Sequence, residues 1–156
     1  MAYICTAKRQ QQMFSKSCEY GIKAIIYIAT QSLEDVRVKI GDVAENTGTP
    51  EAFTAKILGS LTKHNIVSSI KGPRGGFEID KSRMKNIMVS EIVAALDGDA
   101  IYNGCALGLS NCSDVDPCPL HDSIVEVRNK LRKNLESTTV YDLATKLKSG
   151  KSFLIR

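Results

Sequence analysis

Three cysteines and a histidine fall within residues 103–122, NGCALGLSNCSDVDPCPLHD, and they are the side chains of this sequence best equipped for chemistry. Cys105, Cys112 and Cys118 are separated by six and five residues, and His121 follows Cys118 with two residues between. Thiolates are the ligands of iron–sulfur centres and of zinc, and imidazole nitrogen serves beside them. Ligands must reach an inorganic core from several sides, and a segment of Gly, Asn, Ser, Asp and Pro with wide gaps can wrap one. Structural zinc more often uses pairs two to four residues apart, a spacing that only Cys118 and His121 show. The residues leave three readings open: an iron–sulfur centre, a zinc ion, or thiols without a metal role, because cysteine is often a small buried hydrophobe. A fourth ligand can come from His121 at the start of the following helix, or from Glu19 on the first helix. Each of these also reads as an ordinary surface group. Cys5 and Cys18 have no partner spacing, and Cys18 falls on an apolar helix face.

The remainder of the chain bounds this chemistry. Of 156 residues, 43% are hydrophobic and 24% charged, which suits one globular domain long enough to bury a core without staples. No apolar run approaches the roughly 18 residues of a membrane span. The longest, IKAIIYIA at 22–29, is interrupted by a lysine, so no membrane partner is expected. The leader MAYICTAKRQQQ lacks the apolar stretch of a secretory signal, and a cytoplasmic location is the expectation. Reducing cytosol keeps thiols free for metal or redox chemistry, which argues against a disulfide staple, as does the odd count of five cysteines. A net charge of +4 permits nucleic acid as a partner without demanding it.

Hydrophobic spacing supplies the elements that must position the thiols. Residues 1–12 read as a disordered polar leader, with Met13 either internal or the true start. A helix is expected from Ser15, its cap, to Gln31, with Cys18, Ile22, Ile25, Ile26 and Ala29 along one face. VKIGDVAENTG follows as a short helix. The next, TPEAFTAKILGSLTKHN, takes Thr49 as cap and Pro50 in its first turn, with Phe53, Ile57, Leu58 and Leu61 inward. The period then becomes two: IVSSI and GFEID are strands flanking the basic tip KGPRGG. After a helix over VSEIVAALDG come the cysteine loop at 98–121, a long amphipathic helix and a final short one over 122–147, and a loose tail at 148–156. Helix, helix, helix and hairpin in that order make a winged helix-turn-helix over residues 13–97, in a chain that is mostly α with a small β-hairpin wing.

In a helix-turn-helix the second helix enters the major groove, and its first residues reach base edges. Thr49, Glu51, Ala52 and Lys56 lie away from the apolar stripe and are the candidate readers. Lys71 and Arg74 at the wing tip suit phosphates or the minor groove, and Gly72, Gly75 and Gly76 permit sharp turning and close approach. Ser15 and Lys16 are weaker candidates for phosphate contacts. Taken singly, each feature also reads as an amphipathic surface helix or an ordinary hairpin. Together they point to double-stranded DNA.

FSKSCEYGIKAIIYIA, IVSSIKGPRGGFEID and the three-cysteine loop resemble the Rrf-two superfamily of bacterial winged-helix regulators, over about residues 13–145. That group includes IscR-like and NsrR-like iron–sulfur sensors and cluster-free repressors of cysteine metabolism. The resemblance implies a homodimer on a palindromic promoter operator, with the long helix, through Ile124, Val127, Leu131 and Leu135, as its interface. It implies that Cys105, Cys112 and Cys118 hold a two-iron or four-iron cluster sensing redox, nitric oxide or iron–sulfur status. His121 stands where the IscR-like group has a histidine. Glu19 stands where the NsrR-like group has a carboxylate supplied by the other subunit, so the fourth ligand stays open. Ala55 replaces a recognition-helix glutamate of some members, which leaves the operator open too. The rivals are the same fold with structural zinc or no metal, sensing a small molecule or partner protein, and a small iron–sulfur or thiol oxidoreductase. The second has no nucleotide-binding glycine motif to support it.

Overall fold

Ser15 starts the first helix, as its residue type predicts: its Oγ accepts the Cys18 N–H at 3.1 Å. The computed structural model describes residues 13–154, so the expected leader and the last two residues of the expected tail lie outside it. Helix α1 (Lys16–Ser32) buries Cys18, Gly21, Ala24, Ile25, Ile28 and Ala29 along one side. Gly21 is small for a reason, because a Cβ there would collide with Leu96 of a helix packed across it. Helix α2 (Ile40–Thr47) ends at Gly48, whose φ of 65° is the left-handed conformation that closes a helix.

Helix α3 (Glu51–Lys63) is capped by Pro50, not by Thr49 as the sequence suggested. The turn at Gly48 swings Thr49 inward, where it is 6% exposed and its hydroxyl lies 3.1 Å from that of Thr47. Thr54, Ile57, Leu58 and Leu61 form the buried stripe, and Phe53 meets Tyr20 edge-on with ring centres 5.7 Å apart.

Strands β1 (Ser68–Ile70) and β2 (Gly76–Glu78) pair antiparallel in the register Ser68↔Glu78, Ser69↔Phe77 and Ile70↔Gly76. They are shorter than the sequence suggested because Ile66, Val67 and Ile79 leave the ladder to enter the core. A further rung, unseen in the sequence, forms where Val38 exchanges backbone hydrogen bonds with Phe77 at 3.2 and 2.8 Å. Then follow a one-turn helix α4 (Lys81–Met84), also unanticipated and capped by Asp80, and α5 (Val89–Asp97). A 3₁₀ turn over Ala100–Tyr102 opens the cysteine loop, and α6 (His121–Ser137) and α7 (Val140–Lys148) close the chain.

The main core joins α1, α2, α3 and the wing base to Val140 and Ala144 of α7. A second cluster of Cys18, Val89 and Val93 is covered by Phe14, Ile101, Leu135 and Leu143. Helix α6 has no buried residue along its 17 positions, and Val127 is 61% exposed. The four residues grouped as an interface stripe therefore divide: Leu135 leans on the second cluster, while Val127 faces outward. The reason is geometric. The four are spaced three, four and four residues apart, so at about 100° per residue Val127 sits roughly 80° around the helix from Leu135 and meets different surroundings.

Gly75 carries the wing turn. A Cβ at that position would overlap the Ile70 carbonyl oxygen and lie 2.8 Å from the Lys71 carbonyl carbon, both backbone atoms that cannot yield. Gly75→Ala is expected to lower stability by about 1–3 kcal/mol and to break the hairpin pairing. Denaturant unfolding and the amide chemical shift of Phe77 check this.

Candidate metal centre and nucleic-acid interface

Residues too polar for a core shape the cysteine loop by turning. Gly104 and Gly108 take φ of 85° and 72°, conformations that only glycine adopts freely. Gly108 N–H closes a turn onto the Cys105 carbonyl at 3.0 Å, and the Ser113 hydroxyl accepts the Val115 and Asp116 N–H groups at 3.3 and 3.2 Å. These turns aim the thiols at one another. The sulfurs of Cys105, Cys112 and Cys118 all lie within 4.8 Å of each other, and the Cys105–Cys118 pair is 3.6 Å apart. His121 Nδ1 lies 3.2 Å from Cys112 Sγ, and its Nε2 lies 2.9 Å from Asp114 Oδ1. A carboxylate behind an imidazole fixes tautomer and ring orientation at metal sites.

This donor set fits a thiophilic metal centre. A cavity of about 270 Å³ opens between the three thiols, His121 and Arg128. Two thiolates sharing one tetrahedral ion, with bonds of about 2.3 Å, stand about 3.8 Å apart, close to the Cys105–Cys118 separation. Arg128 donates to the Gly104 carbonyl from α6 and brings a cation to the rim, which suits an anionic thiolate cluster.

The thiols are not equivalent. The Leu109 N–H, helped by the Leu107 N–H and the neighbouring thiols, lowers Cys105 to about 7 against the opposing pull of desolvation. Cys112 accepts the Cys118 N–H, which lowers it, but desolvation and the other two thiols together outweigh that bond and leave it raised. Cys18 is fully buried, and burial followed by the nearby Asp97 charge pushes its thiol up to about 12. It is a core residue. Glu19 lies outside the thiol group and pairs with Lys16 at 2.9 Å.

On the opposite part of the fold, Glu51, Ala52 and Lys56 lie exposed on α3, and Lys71, Gly72 and Arg74 are exposed at the wing tip. Two other candidates are buried, and a third, Gly76, is half-buried. Thr49 is buried, as described. Gly75 is buried in the wing turn, and Gly76, at φ 144°, presses against Val38, where a Cβ would lie 2.6 Å from its carbonyl oxygen. Both glycines serve the wing's own closure. Ser15 gives its N–H to Asp97 Oδ2 at 2.9 Å and its hydroxyl to the other oxygen, so neither donor is free for a phosphate.

Sequence reasoning missed the clamp behind the wing. Arg37 pairs with Glu78 at 2.6 Å and donates to the Arg74 carbonyl at 3.4 Å, and Lys39 donates to the Pro73 carbonyl at 3.3 Å. The alternation Arg37, Val38, Lys39 was the available signal for a short strand, too brief to stand out. An open groove of about 850 Å³ under the wing, larger than the thiol cavity, runs along this clamp. Four of its charges pair with one another, Arg37 with Glu78 and Lys81 with Asp35, and Lys39 is engaged with the Pro73 carbonyl.

Comparison with known proteins agrees with this architecture. Residues 14–146 match the family described as Rrf2, iron-dependent transcriptional regulator. A protein of Aquifex aeolicus classed as an HTH-type transcriptional regulator is 34% identical over 134 residues, covering 84% of this chain and 90% of that one. The HTH-type transcriptional regulator IscR of Escherichia coli is 27% identical over 124 residues, covering 80% of this chain and 75% of that one. Among solved structures, CymR, the global cysteine regulator of B. subtilis, superposes with a TM-score of 0.71 at 22% identity, covering 85% of this chain and 95% of that one. T. potens IscR gives 0.68 at 21%, covering 88% and 90%.

In metal-free protein, Cys105 is expected to be the fastest thiol to alkylate. The thiolate is the nucleophile, so its rate should rise through a midpoint near pH 7, while Cys18 stays inert up to far higher pH. Iodoacetamide labelling followed by peptide mass spectrometry across pH 5–9 measures both.

Proposed function

The chain belongs to the Rrf2 family of DNA-binding transcriptional regulators, and from that premise we propose that it is a cytoplasmic, homodimeric sensor whose operator binding depends on an iron–sulfur centre. One observation carries the reading: three thiols from a polar loop converge within 4.8 Å, with His121 adjoining. The relatives are regulators, which sets aside the oxidoreductase reading.

Cys105, Cys112 and Cys118 would hold the centre, which supplies redox- or nitric-oxide-sensitive chemistry when bound. His121 is the fourth ligand that this subunit itself brings near, with Asp114 orienting its ring. Glu19 stands on α1, where it could serve a partner's centre, and the two assignments separate by mutation. A second reading, one zinc ion on the same residues, draws on the 3.6 Å sulfur pair.

The second subunit would cover α6, where Ile124 and Leu131 are half-buried, Leu120 is 44% exposed and Val127 faces solvent. Two α3 helices would then enter successive major grooves about 34 Å apart on a palindromic site. Glu51, Ala52 and Lys56 would face base edges. Lys16, Lys71, Gly72 and Arg74 would meet the backbone. Because half-site spacing is fixed by the duplex, a small change in how the loop seats α6 would cost much of the specific affinity.

Protein purified without oxygen is expected to be brown, and Cys112→Ala to remove the visible absorption; colourless protein with one zinc per chain replaces the iron–sulfur reading. His121→Ala should alter the visible spectrum more than Glu19→Ala if His121 is the fourth ligand, and the reverse order assigns Glu19. Arg74→Ala should weaken binding to unrelated duplexes alike and reduce the slope of log affinity against log salt by about 1. A change in preference at a single base pair would instead make Arg74 a base reader.

A further inference from the structure

Asp97 ends α5 and is the last residue before the segment that leads to the thiols. Its two carboxylate oxygens go to a residue 82 positions away: Oδ2 takes the Ser15 N–H at 2.9 Å and Oδ1 the Ser15 hydroxyl. Ser15 caps α1 by accepting the Cys18 N–H at 3.1 Å, and Lys16, a candidate backbone contact, is the next residue. The helix needs only the Ser15 oxygen for its cap. The bonds to Asp97 add something else, an anchor between α1 and α5. A carboxylate over the first turn of a helix is also favoured by the helix dipole.

The other end of the same segment is held by a different helix. After Asp97 the chain turns at Gly98, with φ 68°, and forms the 3₁₀ turn. Tyr102 lies under the Arg132 guanidinium at 4.6 Å, and the Gly104 carbonyl accepts from Arg128. Cys105 is the next residue. Residues 97–104 thus run from the DNA-facing start of α1 to the first thiol, fixed to α1 at one end and to α6 at the other. Eight residues and the Ser15–Asp97 hydrogen bonds thus connect the start of α1 to the first thiol, and Asp97 is the attachment at the α1 end.

We infer that Asp97 is a positioning residue that transmits the ligation state of the thiol loop to the start of α1. The inference rests on the proposed metal role of that loop. It concerns neither metal binding nor DNA contact directly, because Asp97 touches neither.

The test compares full-length protein, loaded with ferrous iron and sulfide or left metal-free, by amide hydrogen exchange. Wild-type protein should show state-dependent exchange at both the 105–118 loop and the Ser15 and Cys18 amides. In Asp97→Ala the loop should still respond, while those two amides exchange roughly tenfold faster in both states, the effect of losing a hydrogen bond to a charged group. The ratio of metal-loaded to metal-free affinity for an operator selected with wild-type protein should fall toward one. Asp97→Asn, which keeps size and one acceptor, is the variant to use if alanine unfolds the chain, and it should give a partial loss of the same kind. Asp99→Asn is the control, since that carboxylate serves Asn103 inside the loop at 2.7 Å and should leave coupling intact. Wild-type α1 amides indifferent to metal while the loop responds, or an Asp97→Ala protein with undiminished coupling, would overturn the inference and leave the metal site standing. A loop that does not respond to iron and sulfide removes the metal reading and this inference with it.

Discussion

Fourteen residues from Cys105 to Cys118 contribute no buried core residue, yet their three sulfurs meet within 4.8 Å. Nothing apolar draws them together. Left-handed glycines and hydroxyl-accepted turns bend the loop, but turns of this kind are individually worth little against the backbone entropy they fix. A bond between these soft ligands and the metal proposed for them would be far stronger than any of them. Convergence of thiols is thus the constraint on which the second half of the molecule depends, and it explains why so polar a segment can be placed beside a long helix. That helix begins at His121, three residues after the last thiol, so the geometry of ligands and the direction of α6 are set together.

The first half obeys a different logic. Its core is an ordinary interdigitation of Ile, Leu and Val, into which α1 threads between α3 and α7. The surface proposed for DNA is what this packing leaves outside: an exposed flank of α3 and a wing tip. The wing's stiffness comes from behind it. Val38 adds a rung to the hairpin, and Arg37 and Lys39 hold carbonyls at Arg74 and Pro73, so basic side chains at the tip are presented from a braced turn. Two glycines that look accessible in the sequence are consumed in making that brace possible.

How much of this was legible in the sequence follows from the range over which each signal acts. Helix periodicity, the Ser15 cap and the Gly-Pro-Arg-Gly-Gly turn are local, and they predicted the winged-helix order and the residue types at the thiol loop. Thr49 misled because a cap preference is weak, and one left-handed residue at Gly48 was enough to rotate the following side chain into the core. Leu135 also packs on the second cluster, a contact its spacing could not reveal, because spacing defines a helix face but not what lies opposite it. The Val38 rung was too short to show a period. The Ser15–Asp97 anchor joins residues 82 apart, and no local pattern encodes such a pair.

Val140 and Ala144 complete a core whose other members lie mostly before residue 93. During synthesis the earlier helices therefore leave the ribosome with a hole in their packing, one that α7 fills later. Two apolar residues of α7 thus finish packing that the earlier helices begin. A polypeptide ending before α7 would carry the wing and α3 yet lack the two side chains that complete the core beneath them.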